Sequence, residues 1–219
     1  MNILALDCSS KKLSYSIVKN DGLIYQYDRV VDRGASFFIV KLEKTLKNLS
    51  MQIRDFDLFA IGSGPGSFTG LRVSFSIVKA FALAAKKPVF WQNSFFACAY
   101  PFWRKEGKVA VVADAKKNLV YAGFFVSSKR GLRQKSGPKL MKLKDCLEKG
   151  KDYLFITYDS HLRKEAKAIK KDIRFYQKNI YPRAKYFIDN NNFDRMSYDL
   201  KKLKPLYLHS MDCQVRKGR

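Results

Sequence analysis

The segment best suited to anion chemistry is residues 62–72, which read GSGPGSFTGLR. Glycines let the backbone approach a phosphate closely, and a turn that opens a helix presents free N–H groups to it. The spacing matches neither the phosphate-binding P-loop nor the dinucleotide fingerprint, whose third glycine would fall at Ser67. The alternative is a tight structural turn in which Ser67 or Thr69 caps the following helix. The candidate residues of this turn are Gly64, Gly66, Ser67, Thr69, Gly70 and Arg72.

Three further polar residues follow apolar runs that are typical of strands: Asp7, Ser9 and Asp114. A carboxylate at a strand end can hold metal-bound water beside a phosphate. The alternative for each residue is a cap that closes a turn. Arg72 could bind a phosphate or carboxylate, or it could form an ion pair with Asp7 or Asp57.

The sequence offers little for metal or nucleophilic chemistry. The four cysteines, at positions 8, 98, 146 and 213, include no C-x-x-C pair, and the two histidines, His161 and His209, are far apart. A zinc site would need ligands from distant parts of the chain. We therefore expect reduced thiols in a cytoplasmic protein that binds no metal.

The charge is strongly basic, with a formal net charge of +24. Residues 1–100 carry 13 Lys and Arg against 7 Asp and Glu, whereas residues 101–219 carry 30 against 12. The second half would attract a polyanion such as RNA. The excess is mostly lysine, however, which also suits a merely solvated surface.

The first part of the chain predicts an α/β layer. We expect three antiparallel strands, then alternating helices and strands joined by right-handed crossovers. This order is that of the ribonuclease-H-like unit of actin-like ATPases and sugar kinases. The predicted strands are 2–7, 13–19, 23–30, 57–62 and 88–91, with a hairpin turn at 20–22 and helices at 34–50 and 70–85.

The second part gives weaker patterns, and the two halves could be distant versions of one unit. A helix and linker are expected near 94–107 and a polar loop at 189–199. The predicted strands are 108–113, 119–126 and 153–157, and the predicted helices are 143–149, 160–171 and 182–190.

The two helices of the first half are apolar over more of their surface than one sheet can cover. They could form an intermolecular helix bundle, because such a patch is large for a monomer. The alternative is burial under a loop or the second half of the chain. The candidate interface residues are Phe37, Phe38, Val40, Leu42, Leu71, Phe75, Val78 and Phe81.

The segment GPGSFTGLR, preceded by ILALDCSS and a meander of strands, closely resembles the TsaB (YeaZ) family. The segment from Val112 to Lys116 resembles a family strand and turn in which Lys116 replaces an arginine. The segment PLYLH at 205–209 resembles the family's terminal motif, with His209 in place of an arginine. The resemblance spans most of the chain and is weak over 129–200.

The resemblance implies two ribonuclease-H-like lobes of the actin-like ATPase (ASKHA) superfamily, with mixed sheets flanked by helices. We place them at 1–103, with the Gly-rich turn and the dimerisation helices, and at 104–219. It also implies a non-catalytic subunit of the tRNA threonylcarbamoyladenosine machinery that docks the catalytic paralogue TsaD through the two helices. This chain has no H-x-x-x-H pair, the metal-binding motif of that paralogue.

The resemblance implies further partners: a TsaE-like ATPase, a second copy of the chain, and tRNA bound indirectly or weakly. We expect no cofactor bound tightly by this chain, with ATP and metal on the partner subunits. Two other functions stay open, a small actin-like ATPase or kinase using Asp7 and Asp114, and a charge-driven RNA-binding module. No apolar run reaches the ~18–20 residues of a membrane span, and the amino terminus lacks the basic start of a secretory signal.

Overall fold

Five strands form the first sheet, in the spatial order β3-β2-β1-β4-β5. The computed structural model describes residues 1–31, 34–129, 131–189 and 196–208. Strands β1, β2 and β3 are antiparallel, and β4 and β5 continue the sheet in parallel with β1. The strands span Ile3–Asp7, Lys12–Lys19, Gly22–Val30, Leu58–Gly62 and Val89–Gln92. These are the five strands that the sequence predicts, with bounds that differ by one residue at one or both ends.

The hairpin between β2 and β3 is closed by Asn20 and Asp21, which both have a positive φ, 50° and 65°. Two such residues form the tight turn whose twist matches that of the flanking strands. The hairpin turn predicted at residues 20–22 is therefore confirmed.

Two helices cover one face of this sheet: α1 spans Gly34–Asn48 and α2 spans Phe68–Ala85. Helix α2 begins two residues earlier than predicted, because Ser67 caps it; its Oγ accepts the N–H of Gly70 at 3.2 Å. A left-handed residue, Lys86, ends it. The core beneath both helices is rich in aromatic residues and centres on Tyr15, whose hydroxyl lies 2.8 Å from Thr45 Oγ1 of α1.

Four strands form the second sheet, in the order β8-β7-β6-β9. They span Lys108–Asp114 (β6), Leu119–Ser128 (β7), Gly131–Lys142 (β8) and Leu154–Ile156 (β9). Strand β8 is missing from the sequence prediction. It reads GLRQKSGPKLMK, and only two of its twelve residues are buried, because β8 is an edge strand with many polar residues. Such a strand has little of the apolar alternation on which prediction depends.

The remaining helices are short: α3 spans Ser94–Ala99, α4 spans Leu143–Lys149 and α5 spans Ser160–Ile169. The helix predicted at 182–190 is instead a 3-10 helix at Ala184–Phe187. Residues 190–195 of the predicted loop lie outside the described residues. Helix α3 contributes to two cores, since Ala97 packs with the first sheet and Phe95 with the second.

The two sheets repeat one local arrangement. Strand β1 has an antiparallel neighbour on one side and a parallel neighbour on the other, and β6 has the same pair of neighbours. Asp7 ends β1 and Asp114 ends β6, so the two carboxylates occupy matching positions. The fold is therefore two ribonuclease-H-like layers, as predicted. The lobe boundary at residues 103 and 104 stays a prediction.

Helix α2 is long and apolar enough, by length and composition, to cross a membrane. Buried core helices of other proteins meet the same criteria. Here Leu71, Phe75 and Val78 of α2 are buried against the first sheet. The helix also carries Arg72 and Lys79, which interrupt its apolar sequence.

Candidate functional site

The glycine-rich turn packs against the backbone of the β1–β2 connection. A Cβ atom added to Gly66 would lie 1.9 Å from the Ser9 carbonyl oxygen, and one added to Gly70 would lie 2.1 Å from that of Cys8. The Ser67 N–H donates to the same Ser9 oxygen at 2.7 Å. These glycines are thus required by contact between two stretches of the protein's own backbone. The oxygens facing them are carbonyl acceptors, which do not favour an anion.

The Asp7 carboxylate lies beneath this turn and is fully buried. Its Oδ1 accepts the N–H and the hydroxyl of Ser9 at 2.9 and 2.7 Å, and its Oδ2 accepts the hydroxyl of Ser94 at 2.5 Å. Burial raises the pKa of Asp7, and the three hydrogen bonds partly oppose that shift. A Cβ on Gly62 would lie 1.8 Å from Asp7 Oδ2. The backbone of β4 therefore packs directly against the carboxylate at Gly62.

Ser94 joins three parts of the site, and it is not among the candidate residues predicted from the sequence. Its Oγ donates to Asp7 and accepts the N–H of Gly64 at 3.0 Å, while its own N–H donates to the Gly64 carbonyl at 2.8 Å. The available signal was its position just after the Asn93 helix cap, at the carboxyl end of β5. Parallel strands β1, β4 and β5 place their carboxyl ends together, which brings Asp7, Gly62 and Ser94 into contact.

Arg72 contacts neither of its expected partners. Its guanidinium carbon lies 5.2 Å from the centre of the Phe68 ring. Asp57 instead accepts the N–H of Asn2 and the Nζ of Lys87, at 2.9 and 3.2 Å. Arg72 and its neighbour Thr69 are exposed at the start of α2.

Asp114 belongs to a separate, more open cluster. Its carboxylate accepts the N–H and the Nζ of Lys116, each at 2.7 Å, and lies 3.6 Å from His161 Nε2. Burial alone would raise the pKa of Asp114, but the bonds from Lys116 outweigh it and lower the pKa. Residues 116–118 all have positive φ, so the carboxylate closes a strained turn. Asp159 Oδ2 accepts the Asp114 N–H at 2.8 Å.

The predicted helix interface needs correction. Five of its eight residues are buried in the chain's own core, where they cannot meet a partner, because their helix faces cover the first sheet. Phe81 is partly buried, with its ring 6.1 Å from that of Phe59. Phe37 and Val40 of α1 are exposed, at 42% and 67%. The five buried residues are Phe38, Leu42, Leu71, Phe75 and Val78.

The surface of the helix pair is nevertheless apolar. Ile39 of α1 and Leu83 of α2 are exposed, at 50% and 72%. A groove of about 390 Å³ lies between the helices and the β1–β2 turn, with Val73 and Ile77 of α2 among its lining residues. We call the exposed Phe37, Ile39, Val40 and Leu83, together with this groove, the helix-pair surface.

The terminal motif contacts the glycine-rich turn. The Leu206 N–H donates to the Ser63 carbonyl at 2.8 Å, and the Tyr207 ring lies 5.1 Å from that of Phe68. His209, which replaces a family arginine, lies outside the described residues. Within the described ranges, no three His, Cys, Asp or Glu side chains are grouped so that they could hold a metal ion.

The fold and this site define an α/β protein with two mixed sheets flanked by helices, each sheet arranged as in a ribonuclease-H-like unit. Solved structures agree in fold: YeaZ from Pseudomonas aeruginosa superposes with a TM-score of 0.78 at 18% identity, over 94% of this chain and all of that one. An uncharacterized protein with similarity to the peptidase YeaZ, also from P. aeruginosa, gives 0.79 at 19% identity, over 95% of this chain and 99% of that one.

Sequence comparisons identify the family. A family model described as TsaD, tRNA N6-adenosine threonylcarbamoyltransferase, matches residues 38–188. The tRNA threonylcarbamoyladenosine biosynthesis protein TsaB of Buchnera aphidicola is 30% identical over 196 residues, 85% of this chain and 90% of that protein. TsaB of Bacillus subtilis is 28% identical over 75% of this chain and 74% of its own length. The chain belongs to the TsaB (YeaZ) family.

Proposed function

We propose that this chain acts in tRNA threonylcarbamoyladenosine biosynthesis as a non-catalytic subunit that docks and activates a TsaD-like paralogue. Its relatives are named as tRNA threonylcarbamoyladenosine biosynthesis proteins, which supports a role in that pathway. The observation that carries the non-catalytic role is the enclosure of Asp7 beneath the glycine-rich turn.

The burial and hydrogen bonding of Asp7 argue against phosphoryl transfer or ATP hydrolysis by this chain. A carboxylate that positions metal-bound water must expose an oxygen to the ligand. Both oxygens of Asp7 accept hydrogen bonds within the protein, and burial disfavours its ionised form. Ser9, the other residue proposed for the phosphate side, has its hydroxyl committed to Asp7. These contacts favour the scaffold over the stand-alone ATPase or kinase.

The helix-pair surface is the proposed docking site for the paralogue or for a second copy of the chain. Its exposed side chains are Phe37, Ile39, Val40 and Leu83, and large apolar side chains exposed on a helix pair suit a protein interface. The adjacent groove of about 390 Å³ can receive apolar side chains of a partner helix. In this proposal ATP and metal bind the partner subunits, including a TsaE-like ATPase.

Reconstitution tests the proposal. Unmodified tRNA, ATP, threonine and bicarbonate are incubated with the TsaD-like paralogue, the TsaE-like ATPase and the adenylate-forming enzyme, with and without this chain. Mass spectrometry of tRNA digests should detect threonylcarbamoyladenosine only when the chain is present. Equal modification without the chain would refute an activating role.

An Asp7→Asn variant separates a scaffold from an enzyme in the same assay. Asparagine has the shape of aspartate and can keep the Ser9 contacts, but it cannot serve as a carboxylate. A scaffold carrying this change should support modification at the wild-type rate. A large loss of activity in a folded variant would favour the ATPase alternative.

A further inference from the structure

A second cleft, of about 650 Å³, lies at the β9 edge of the second sheet. Its volume is within the range of small-molecule sites, roughly 300–1,000 Å³. Residues from both halves of the chain line it, including Lys12 of β2 and Leu154 of β9. No local sequence pattern indicates this cleft, because its lining residues are widely separated along the chain.

The wall of the cleft is a chain segment, residues 174–183, held against β9 by backbone hydrogen bonds. The Phe155 N–H donates to the Arg174 carbonyl and the Tyr176 N–H donates to the Phe155 carbonyl, both at 2.8 Å. The Ile180 N–H donates to Thr157 at 3.0 Å. These bonds fix the segment, so the cleft exists before any ligand binds.

The charge of the cleft is positive. Four basic side chains line it: Lys12, Lys105, Lys178 and Arg183. Throughout residues 1–31, 34–129, 131–189 and 196–208, no carboxylate forms an ion pair with any of its three lysines. Its one acidic lining residue, Glu106, lies 3.3 Å from Arg174. A positive excess inside a concave surface concentrates the field toward an anion.

The environment of Lys12 also favours binding of an anion in the cleft. Burial lowers the pKa of Lys12, Asp28 acts in the opposite direction, and Arg183 and Arg29 lower it further. Asp28 also binds Arg183, with its Oδ2 3.3 Å from Nε. One carboxylate is thus shared by several cations, and an added phosphate would relieve their mutual repulsion.

Aromatic rings accompany these charges. The Tyr181 ring lies 5.7 Å from the Tyr158 ring in a stacked geometry, and Lys12 Nζ lies 5.6 Å from the Tyr181 centroid. Tyr176 meets Phe102 edge to face, with ring centres 4.9 Å apart. The Tyr176 side chain is half-buried and lines the cleft, so part of its ring can meet a planar group bound there.

We propose that this cleft binds a phosphorylated nucleotide, free or within a single RNA strand, with its base against Tyr176 and its phosphate among the lysines. Rings paired with cations are the combination that holds single-stranded nucleic acid, because bases stack and phosphates are neutralised. The proposal concerns the chain alone and stands apart from docking to a paralogue. Its failure would leave the scaffold proposal untouched.

The test is fluorescence anisotropy with the purified full chain and a labelled single-stranded oligoadenylate, across a series of KCl concentrations. Lys105→Gln with Lys178→Gln removes two exposed charges from the cleft. Lys135→Gln with Lys139→Gln is the matched control, because it removes the same charge from exposed positions on β8 at the opposite edge of the sheet. Thermal unfolding verifies that each variant is folded.

The cleft variant should bind more weakly and reduce the salt slope by about 1.4, the value for two phosphate contacts on a single strand. The control should keep the wild-type slope. Tyr176→Leu should weaken binding about 5- to 150-fold through loss of stacking, and Tyr176→Phe should bind like wild type. Equal losses in the cleft and control pairs, equal binding by the two Tyr176 variants, or no binding at low salt would overturn the proposal.

Competition identifies the source of the nucleotide. Displacement of the oligoadenylate by AMP, with none by inorganic phosphate, would mean that a free nucleotide suffices. Failure of AMP to compete, with the cleft variants still defective, would mean that the strand is required. Equal displacement by inorganic phosphate and AMP would show that the base makes no contact, which contradicts the assigned role of Tyr176.

Discussion

Ser94 Oγ donates a hydrogen bond to Asp7 Oδ2 across 2.5 Å, joining residues that are 87 positions apart in the chain. The same oxygen accepts the Gly64 N–H. Through this one hydroxyl, the end of β1, the glycine-rich turn and the start of α3 form a single hydrogen-bonded unit. The position that could have served a metal-bound water thus holds the first lobe together.

The buried Asp7 makes stability depend on pH. The ordinary pKa of an aspartate side chain is 3.8, and burial raises the pKa of Asp7 above it in the folded state. The folded state therefore binds the proton more tightly than the unfolded state. Its contribution to stability is therefore greatest at acidic pH and declines as the pH rises from about 3.8 through the raised pKa. Urea unfolding of wild type and Asp7→Asn across this window should show a smaller decline in the variant. Parallel curves would contradict the assignment.

Removal of the Ser94 hydroxyl should destabilise the protein. Ser94→Ala leaves Asp7 Oδ2 without its donor and the Gly64 N–H without its acceptor, and both groups are buried. Each unsatisfied buried group costs about 1–3 kcal/mol. The free energy of unfolding should therefore fall by at least about 1 kcal/mol. Ser76→Ala is the control, because Ser76 is exposed and bonds only within α2. Equal stability of the two variants would disprove the role of Ser94.

The glycine-rich turn should not tolerate a Cβ where it meets the β1–β2 backbone. Gly66→Ala and Gly70→Ala each place that atom near 2 Å from a carbonyl oxygen. Steric overpacking of this kind costs roughly 1–3 kcal/mol or more. Gly107→Ala is the matched control, since nothing lies within 4 Å of its added Cβ. Denaturant midpoints should fall for the first two variants only, and a midpoint near wild type for either one would contradict the observed contact.

A charge on the helix-pair surface should block docking without unfolding the chain. Val40 is 67% exposed, so Val40→Asp leaves the core intact. Ile169→Asp is the control, because Ile169 is also exposed, at 48%, but ends α5 in the second half. We expect Val40→Asp to weaken binding to the TsaD-like paralogue at least ~10-fold in titration calorimetry, a loss of about 1.4 kcal/mol.

The three described cysteines should be unreactive in the folded protein. Burial raises the pKa of Cys8 and Cys98 and raises that of Cys146 to about 12, so little thiolate forms near neutral pH. In a Cys213→Ser background, a thiol reagent should label the native chain slowly and the unfolded chain rapidly. Fast labelling of the native chain would show that at least one of these thiols is exposed.

The sequence alone determined most of the first lobe. Its strands are short apolar runs or, at 13–19, an alternating pattern; Asn20 and Asp21 specify a hairpin, and the glycine-rich segment identifies the family. These signals are local, because each depends on neighbouring residues along the chain. The second lobe was less predictable, since the edge strand β8 is polar and the short 3-10 helix Ala184–Phe187 stands where a longer helix was expected.

Only the tertiary structure decided what the candidate residues do. The sequence leaves two roles open for Asp7, a metal-bound water or a turn, and the enclosure of Asp7 by Ser94 and the β4 backbone decides between them. Phe38 and Phe37 are adjacent and alike in sequence, yet one is buried and the other is exposed. Enclosure and exposure depend on contacts between distant segments, and the 650 Å³ cleft depends on them entirely. The sequence contains the side chains, but packing sets which of them meet each other and which meet a ligand.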